Sequence, residues 1–332
     1  ICLRPGMSPP SDRSFPTDQR WRESPRDGQS APPPPLAIAK VCVMGATGLV
    51  GRALCASLEH AGVAVVRYSR GARPGFARWD PQAGEIDIEP LKGVDAVVNL
   101  AGEDLAERRW TPARKQQLRD SRILSTQLLA HTLAELEERP QVLVNASAVG
   151  IYGHRGEEAV FEESQPGKGF LPELCQAWEN ATAPAAVSGI RVVLPRLGIV
   201  LTSEGGALAK MLPVFRLGLG GRFGSGQQFM PWISMTDTVS VLRFLMGAQT
   251  ISGPVNTVAP EATTNEHFTE ALSTVLRRPA FFTVPNFALK TALGELSQVV
   301  LEGANVRPRV LEQVGFRFDY PRLEDALETL VG

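Results

Sequence analysis

The segment Gly45–Gly51 reads Gly-Ala-Thr-Gly-Leu-Val-Gly, which is the glycine spacing of a turn that holds a diphosphate. The first glycine permits a tight turn, the second lets the backbone approach a phosphate, and the third lets a helix pack closely on a strand. The start of the helix that follows offers free N–H groups and a positive dipole end to phosphate oxygens. The predicted cofactor contacts in this turn are Gly45, Thr47, Gly48, Leu49, Val50 and Gly51.

A second pair of residues distinguishes the two nicotinamide cofactors. Ser69 and Arg70 follow an apolar run, at the place where a site selective for NAD carries Asp or Glu on the ribose 2′-hydroxyl. A carboxylate would repel a 2′-phosphate, whereas the guanidinium of Arg70 is a permanently charged donor array suited to phosphate. The sequence therefore predicts NADP as cofactor. The alternative is that Arg70 is a solvated surface charge.

The elements that position these residues follow from alternating patterns. Short apolar runs, such as Val41–Met44 and Val142–Ala146, alternate with helical stretches, such as 49–60 and 111–138. This alternation predicts an α/β fold, a Rossmann-type doubly wound parallel sheet with a smaller C-terminal α/β lobe. We expect the NAD(P)-binding domain at 39–260 and the small C-terminal domain at 261–332.

The glycine-rich segment 205–232 has a looser pattern than the residues before it. It also carries aromatic and methionine side chains. We expect a long loop and small lobe there, without further sheet.

Several motifs resemble those of a known family. The glycine turn is similar to that of the extended short-chain dehydrogenase/reductases. Further motifs, in order along roughly residues 40–330, resemble the atypical, epimerase-like members that end in a small C-terminal domain of unknown function. They include Asn99–Glu103, Arg109–Trp110, Ser121–Arg122, Ser147–Gly153, Trp178–Glu179, Arg196–Leu201, Leu217–Gly221, Pro231–Ile233 and Tyr320–Pro321.

The resemblance implies a bound NADP(H) and adds candidate contacts to it. These are Leu100, Ala101, Gly102 and Glu103 at the end of the apolar run 94–100, Arg122 in the helical stretch 111–138, and Val200 after the apolar run 190–194. Three of them have alternatives: Glu103 as a catalytic base, Arg122 in a surface ion pair, and Val200 in strand packing.

The Tyr–Lys pair of the family's active members is missing from this sequence. Active relatives use a Tyr as acid/base, a Lys four residues later that lowers its pKa, and a Ser that hydrogen-bonds the reacting oxygen. When the helix that should carry this pair is aligned on Glu179, Leu171 and Cys175 stand at the positions expected for Tyr and Lys. Ser147 and Tyr152 remain as candidate catalytic residues, with Ala148 as the alternative to Ser147 and packing as the alternative for Tyr152.

Two functions therefore stand. One is an NADP-dependent oxidoreductase or epimerase that acts on an unknown small molecule with a non-standard acid/base, which the pocket-like segment 205–232 favours. The other is a catalytically degenerate NADP(H)-binding sensor or structural partner, which the missing Tyr–Lys pair favours.

Composition excludes several classes of function. The 332 residues contain 34 Lys and Arg against 35 Asp and Glu, which argues against nucleic acid or an anionic membrane as the main partner. The four cysteines lack metal-ligand or disulfide-framework spacing, so we expect no metal, and no apolar run has the length of a membrane span. A homodimer is expected only by analogy with related folds.

The proline-rich residues 1–38 predict a disordered extension or a targeting segment. A targeting role would place the protein in a plastid or mitochondrion. Without it, the expectation is the cytoplasm.

Overall fold

Strands and helices alternate through most of the chain. The structure, a computed structural model, describes residues 38–332. The strands are β1 Lys40–Met44, β2 Ala64–Ser69, β3 Ala77–Asp80, β4 Glu85–Ile86, β5 Ala96–Asn99, β6 Val142–Asn145, β7 Ser147–Ala148, β8 Ala159–Val160, β9 Arg191–Leu197, β10 Ile199–Leu201, β11 Gly221–Phe223, β12 Trp232–Ser234, β13 Gly253–Thr257, β14 Phe282–Val284 and β15 Asn305–Val306. The helices are α1 Leu49–His60, α2 Pro112–Glu135, α3 Phe170–Asn180, α4 Ala183–Val187, α5 Gly206–Arg216, α6 Met235–Gly247, α7 Asn265–Leu276, α8 Asn286–Leu293, α9 Gln298–Leu301, α10 Arg309–Gln313 and α11 Leu323–Val331.

The central sheet has the doubly wound order β3-β2-β1-β5-β6-β9-β13, with all of these strands parallel. The strand β4 extends one edge antiparallel to β3, and β7 pairs with β9 beyond the end of β6. The order reverses between β1 and β5, and such a switch point opens a crevice at the carboxyl ends of the strands. The predicted Rossmann-type sheet is confirmed.

Alternate side chains of β1 pack into the two core layers that lie on opposite faces of the sheet. Val41 and Val43 pack in the cluster that contains Leu54 of α1, whereas Cys42 and Met44 pack in the cluster that contains α2. All four side chains are fully buried. A strand buried on both faces reads as a continuous apolar run, which is why β1 was recognisable from sequence.

The prediction for residues 205–232 was wrong in part. This segment contains the helix α5 and the short strands β11 and β12, and β13 adds a seventh parallel strand soon after it. Gly205 and Gly206 stand at the start of α5, so the glycines that suggested a loop mark the beginning of a helix.

C-terminal residues pair with segments from earlier in the chain. The strand β14 pairs with β11, and β15 pairs with β8. A third core cluster joins α5, α7 and α11, and it encloses Trp232, which is 1% exposed. The boundary at residue 261 stays a prediction.

Two further sequence predictions concern the N-terminal extension and membrane-spanning segments. Residues 1–37, which make up nearly all of the predicted extension, lie outside the described residues. Within residues 38–332, none of the helices combines the length and apolarity that crossing a bilayer requires.

Candidate functional site

The glycine turn after β1 is shaped by contacts that exclude side chains. Gly45 has φ +74°, and a Cβ there would lie 2.7 Å from the carbonyl carbon of Leu100. A Cβ on Gly51 would lie 2.2 Å from the carbonyl oxygen of Gly45. The N–H of Gly48 donates to that same oxygen at 2.9 Å, and α1 begins at the next residue. The turn therefore brings the end of β5 and the start of α1 together, as a dinucleotide site requires.

Further predicted contacts lie around the start of α1. Thr47 and Gly48 are exposed, whereas Leu49 and Val50 are half-buried. A Cβ on Gly205, just before α5, would lie 3.1 Å from a methyl carbon of Leu49. A Cβ on Gly206 would lie 3.6 Å from the carbonyl oxygen of Val200. The segment that links β10 to α5 therefore packs on the beginning of α1.

Arg70 stands just beyond Ser69, the last residue of β2, with 68% of its side chain exposed. Its Nη1 lies 3.7 Å from Oε1 of Glu103. The other carboxylate oxygen of Glu103 accepts a hydrogen bond from the buried Arg114. This bond holds the pKa of Glu103 below its ordinary value, with Arg70 adding to the effect. Glu103 is therefore a paired anion, which is a poor arrangement for a catalytic base.

The strand-end residues Leu100, Ala101 and Gly102 differ in their contacts. The N–H of Leu100 donates to Met44 of β1 at 3.0 Å, and the N–H of Ala101 donates to the buried Asn99 side chain at 3.2 Å. Gly102 is exposed. The backbone of Leu100 and Ala101 is therefore fixed to the sheet, whereas Gly102 is exposed and has no side chain.

Arg122 of α2 lies directly behind Gly102. A Cβ on that glycine would lie 3.2 Å from the guanidinium carbon. Arg122 is 8% exposed, donates from Nη2 to the carbonyl oxygen of Glu103 at 2.9 Å, and lies over the ring of Trp178 at 5.2 Å. Burial lowers its pKa from the ordinary value. The surface ion pair considered for Arg122 is therefore wrong for this buried side chain.

Leu171 and Cys175 occupy the two positions at which active relatives are expected to carry Tyr and Lys. A Cβ on Gly150, shortly after β7, would lie 3.5 Å from Cβ of Leu171 and 3.9 Å from Sγ of Cys175. Burial raises the pKa of the Cys175 thiol to about 12. Neither side chain transfers protons at neutral pH in this environment.

Ser147 and Tyr152 belong to a buried polar network. The hydroxyl of Ser147 donates to Glu179 at 2.6 Å. The hydroxyl of Tyr152 donates to Asn256 at 2.6 Å and accepts from Nη1 of Arg196 at 2.9 Å.

Burial raises the pKa of the Tyr152 hydroxyl to about 12, and the side chain has no exposed surface. This geometry favours the packing role that was the alternative for Tyr152.

Sequence reasoning missed Arg114 and Arg196. Arg114 is 5% exposed and pairs with Glu103 and Glu107. Arg196 is 6% exposed and follows the apolar residues Val192–Pro195 within the strand β9. An arginine inside an apolar strand indicates a buried cation with a partner, and this signal was available in the sequence.

Comparison with protein families gives two matches. Residues 41–256 match the model described as NAD dependent epimerase/dehydratase family. Residues 284–330 match a domain of unknown function, DUF1731. The second match confirms the resemblance to members with a C-terminal domain of unknown function.

Curated relatives cover most of the chain. An epimerase family protein of Mycobacterium bovis is 44% identical over 295 residues, which are 88% of this chain and 97% of the relative. The chloroplastic SDR39U1 homolog of Arabidopsis thaliana is 39% identical over 302 residues, which are 88% of this chain and 86% of the relative.

Solved structures agree with these relatives. The crystal structure of human epimerase family protein SDR39U1 with NADPH is 35% identical, covers 88% of this chain and 98% of its own, and has a TM-score of 0.81. A UDP-N-acetylglucosamine 4-epimerase from Bacillus cereus, 17% identical with a TM-score of 0.70, shares the fold. The extent of these matches and the geometry of the glycine turn show that this chain belongs to the NAD dependent epimerase/dehydratase family, among relatives named epimerase family proteins.

Proposed function

We propose that the protein binds NADP(H) and is an epimerase-like oxidoreductase that acts on a small molecule. The observation that carries the proposal is the turn Gly45–Gly51, whose backbone contacts leave no room for side chains at its first and last glycine. The human relative is described with NADPH, which supports the same cofactor here.

The residues around the turn fit each part of the cofactor. The N–H groups of Leu49 and Val50 at the start of α1 would hold the diphosphate, because that helix end carries free donors and a positive dipole. The backbone of Leu100–Gly102 would lie along the nucleotide. Ser69 and Arg70 would bind the 2′-phosphate, since Arg70 is exposed and charged at the end of β2. When bound, the cofactor supplies hydride chemistry.

The Glu103 carboxylate would hold Arg70 in position before the cofactor binds. Arg114 also contacts Glu103, so Glu103 keeps a cationic partner when Arg70 turns to a phosphate. This exchange of partners avoids leaving an unpaired charge, which would be costly in a half-buried site.

The alternative proposal is an NADP(H)-binding protein without catalytic turnover. It is favoured by Leu171 and Cys175, which put an apolar surface where relatives have an acid/base pair. A metabolite screen that follows NADPH absorbance separates the two proposals. Turnover of any carbonyl or nucleotide-sugar substrate supports the enzyme, and binding without turnover across the screen supports the sensor.

Cofactor titration tests the common part of both proposals. We expect NADPH to bind at least about tenfold more tightly than NADH, because a charge-assisted contact to phosphate contributes roughly 1.5–3 kcal/mol. Arg70→Ala should remove this preference and leave NADH affinity unchanged. Arg322→Ala is the matched control, because Arg322 is equally exposed and pairs with Glu324 at the start of α11, away from the strand β2. Equal affinity for both nucleotides, or no loss in Arg70→Ala, contradicts the assignment.

We also propose an organellar location. The basis is the proline-, serine- and arginine-rich composition of residues 1–38, and the chloroplastic relative from Arabidopsis supports it. A fluorescent fusion carrying residues 1–38 tests it, and diffuse cytoplasmic fluorescence would contradict it.

A further inference from the structure

A histidine and two glutamates meet beside the C-terminal helix α11. His267 is the third residue of α7, Glu324 is the second residue of α11, and Glu261 lies between β13 and α7. Nε2 of His267 lies 2.9 Å from Oε1 of Glu324. One nitrogen or oxygen atom from each of the three side chains lies within 4.8 Å of the others, and all three residues are half-buried. An imidazole and two carboxylates therefore converge on one position.

Capping and packing fix the backbone beneath these side chains. Thr264 caps α7, and its hydroxyl accepts from the N–H of His267 at 3.2 Å. The helices α7 and α11 pack in the third core cluster, in which Phe268 and Leu323 are fully buried. Oε2 of Glu261 accepts from the N–H of Leu323 at 2.9 Å, which holds this carboxylate against the start of α11. The convergence is therefore built on packed helices.

The negative charge of this cluster is incompletely compensated. Oε2 of Glu324 is enclosed and accepts no hydrogen bond among residues 38–332, and it lies 3.6 Å from Nη2 of Arg322. Burial opposes ionisation of Glu324, but a backbone hydrogen bond, His267 and Arg322 together hold its pKa below the ordinary value of 4.5. Arg322 has 67% of its side chain exposed, so it can turn into water. Two carboxylates this close gain from a cation that both of them contact.

A proton is the simplest such cation. When it is protonated, His267 forms an ion pair with Glu324 that needs no metal. Glu261 has no part in that pair, because its recorded contact is the hydrogen bond from the N–H of Leu323. A metal ion would use Glu261 as its third ligand. The contribution of Glu261 therefore distinguishes a metal site from an ion pair.

We propose that Glu261, His267 and Glu324 bind a first-row divalent cation of the Zn²⁺ type, with water completing the coordination. An imidazole nitrogen suits Zn²⁺, whereas Mg²⁺ and Ca²⁺ prefer oxygen ligands. Bonds of about 2.0–2.2 Å place the ligand atoms of such an ion roughly 3–4.4 Å apart, so a spread of 4.8 Å needs only small side-chain rotations. The expectation of no metal rested on cysteine spacing, which does not bear on these residues.

The cation would fasten the C-terminal domain to the helix before it. Glu324 lies within residues 284–330, which match the domain of unknown function, whereas Glu261 and His267 precede that match. The cluster shares no residue with the glycine turn or with the predicted cofactor contacts. The metal site is therefore structural, and it does not depend on the proposed function.

Calorimetric titration of the full chain, freed of metal with a chelator, tests the proposal with ZnCl₂ and MgCl₂. We expect one equivalent of Zn²⁺ to bind at least about tenfold more tightly than Mg²⁺. Glu261→Gln and His267→Gln should each weaken zinc binding at least about tenfold, because even the loss of a group that supports a ligand costs about 10–100-fold. At a hundredfold excess over Kd, Zn²⁺ should raise the thermal unfolding midpoint of wild type by at least about 3 °C.

The variants differ in what they preserve. Glu261→Gln keeps an amide oxygen for the N–H of Leu323, so it removes a metal ligand and retains the hydrogen bond to α11. The matched controls are Glu328→Gln, exposed on α11, and His131→Gln, exposed on α2, and both should bind zinc as tightly as wild type. The unfolding midpoint without zinc shows whether each variant is folded, and Glu261→Gln keeps the test valid if His267→Gln unfolds.

Three results would overturn the metal site. The first is that Zn²⁺ does not bind as a single equivalent, or that Mg²⁺ binds equally tightly. The second is that Glu261→Gln binds zinc as tightly as wild type, which leaves the cluster as an ion pair between His267 and Glu324. The third is that Glu328→Gln or His131→Gln loses as much zinc affinity as Glu261→Gln, which places the metal elsewhere.

Discussion

Glu179 and Arg196 form two parallel hydrogen bonds, one from Nε to Oε1 at 2.8 Å and one from Nη2 to Oε2 at 2.9 Å. The pair joins the helix α3 to the strand β9, and the side chains of Arg196 and Glu179 are only 7% and 12% exposed. Ser147 donates to the same carboxylate. Glu179, on which α3 was aligned with the family, therefore has a structural role, because its carboxylate neutralises the buried Arg196 of the central sheet.

We expect Glu179→Gln to lower the free energy of unfolding by about 3 kcal/mol, because removing one member of a buried pair leaves the other charge uncompensated. Chemical denaturation followed by circular dichroism measures the change. Glu163→Gln, which alters an exposed pair with Arg309, is the control and should change little. Equal stability of the two variants would show that Arg196 does not depend on Glu179.

Gly51→Ala should disrupt both stability and cofactor binding. The new Cβ would lie 2.2 Å from the carbonyl oxygen of Gly45, so the turn or the helix must move. Overpacking of this kind costs about 1–3 kcal/mol. The control is Gly71→Ala, because Gly71 has open space around it and no positive φ. Thermal unfolding and NADPH titration measure the two effects. If Gly51→Ala is destabilised but binds NADPH as tightly as wild type, the turn is not part of the cofactor site.

Glu162 gives a prediction for the pH dependence of stability. Its Oε1 accepts from the backbone N–H groups of Asn256 and Val310, while its buried Oε2 has no partner among the described residues. Burial raises its pKa above the ordinary value of 4.5. The folded state then binds a proton more readily than the unfolded state, so this group lowers stability as pH rises from about 4.5 through the folded pKa.

Glu162→Gln removes that ionisation and keeps an acceptor for the two N–H groups. We expect the unfolding midpoint of the variant to exceed that of wild type at pH 8, and the difference to shrink towards pH 4. The exposed Glu312→Gln serves as the control and should show no such trend. A variant less stable than wild type at pH 8 would show that the charge of Glu162 is favourable in the fold.

Tyr152→Phe and Ser147→Ala test whether these hydroxyls work in catalysis or in packing. Tyr152→Phe should cost about 1–3 kcal/mol of stability, because Asn256 and Arg196 each lose a buried partner. Below the unfolding temperature, we expect NADPH affinity and any turnover found in the screen to stay within about twofold, a limit well below the loss that removal of a general acid causes. A large loss of turnover with unchanged stability would instead support the catalytic role predicted from sequence.

The sequence allowed the glycine turn and the sheet to be predicted, because both depend on local patterns. The spacing of Gly45, Gly48 and Gly51 is a property of seven consecutive residues, and β1 is a run of apolar residues buried on both faces. The helix α5 was missed because Gly205, Gly206 and Pro213 weaken its helical pattern, while its burial in the third core cluster stabilises it.

The environment of Arg122 was beyond sequence reasoning for a different reason. Its partners Gly102 and Trp178 are 20 and 56 positions away in the chain. Whether an arginine lies in water or behind a strand end depends on how α2 and α3 meet, which no local pattern records. The same holds for Tyr152, whose buried partner Asn256 comes 104 residues later.

The contact between Leu49 and Gly205 bears on the speed of nucleotide exchange. The segment before α5 rests on the first residue of α1, beside the N–H groups that would receive a diphosphate. A nucleotide entering or leaving on this side must separate the contact, so its residence time would be governed by local opening of the segment and not by diffusion. A bulkier residue in place of Gly205 would then alter association and dissociation rates together while leaving the equilibrium constant nearly the same.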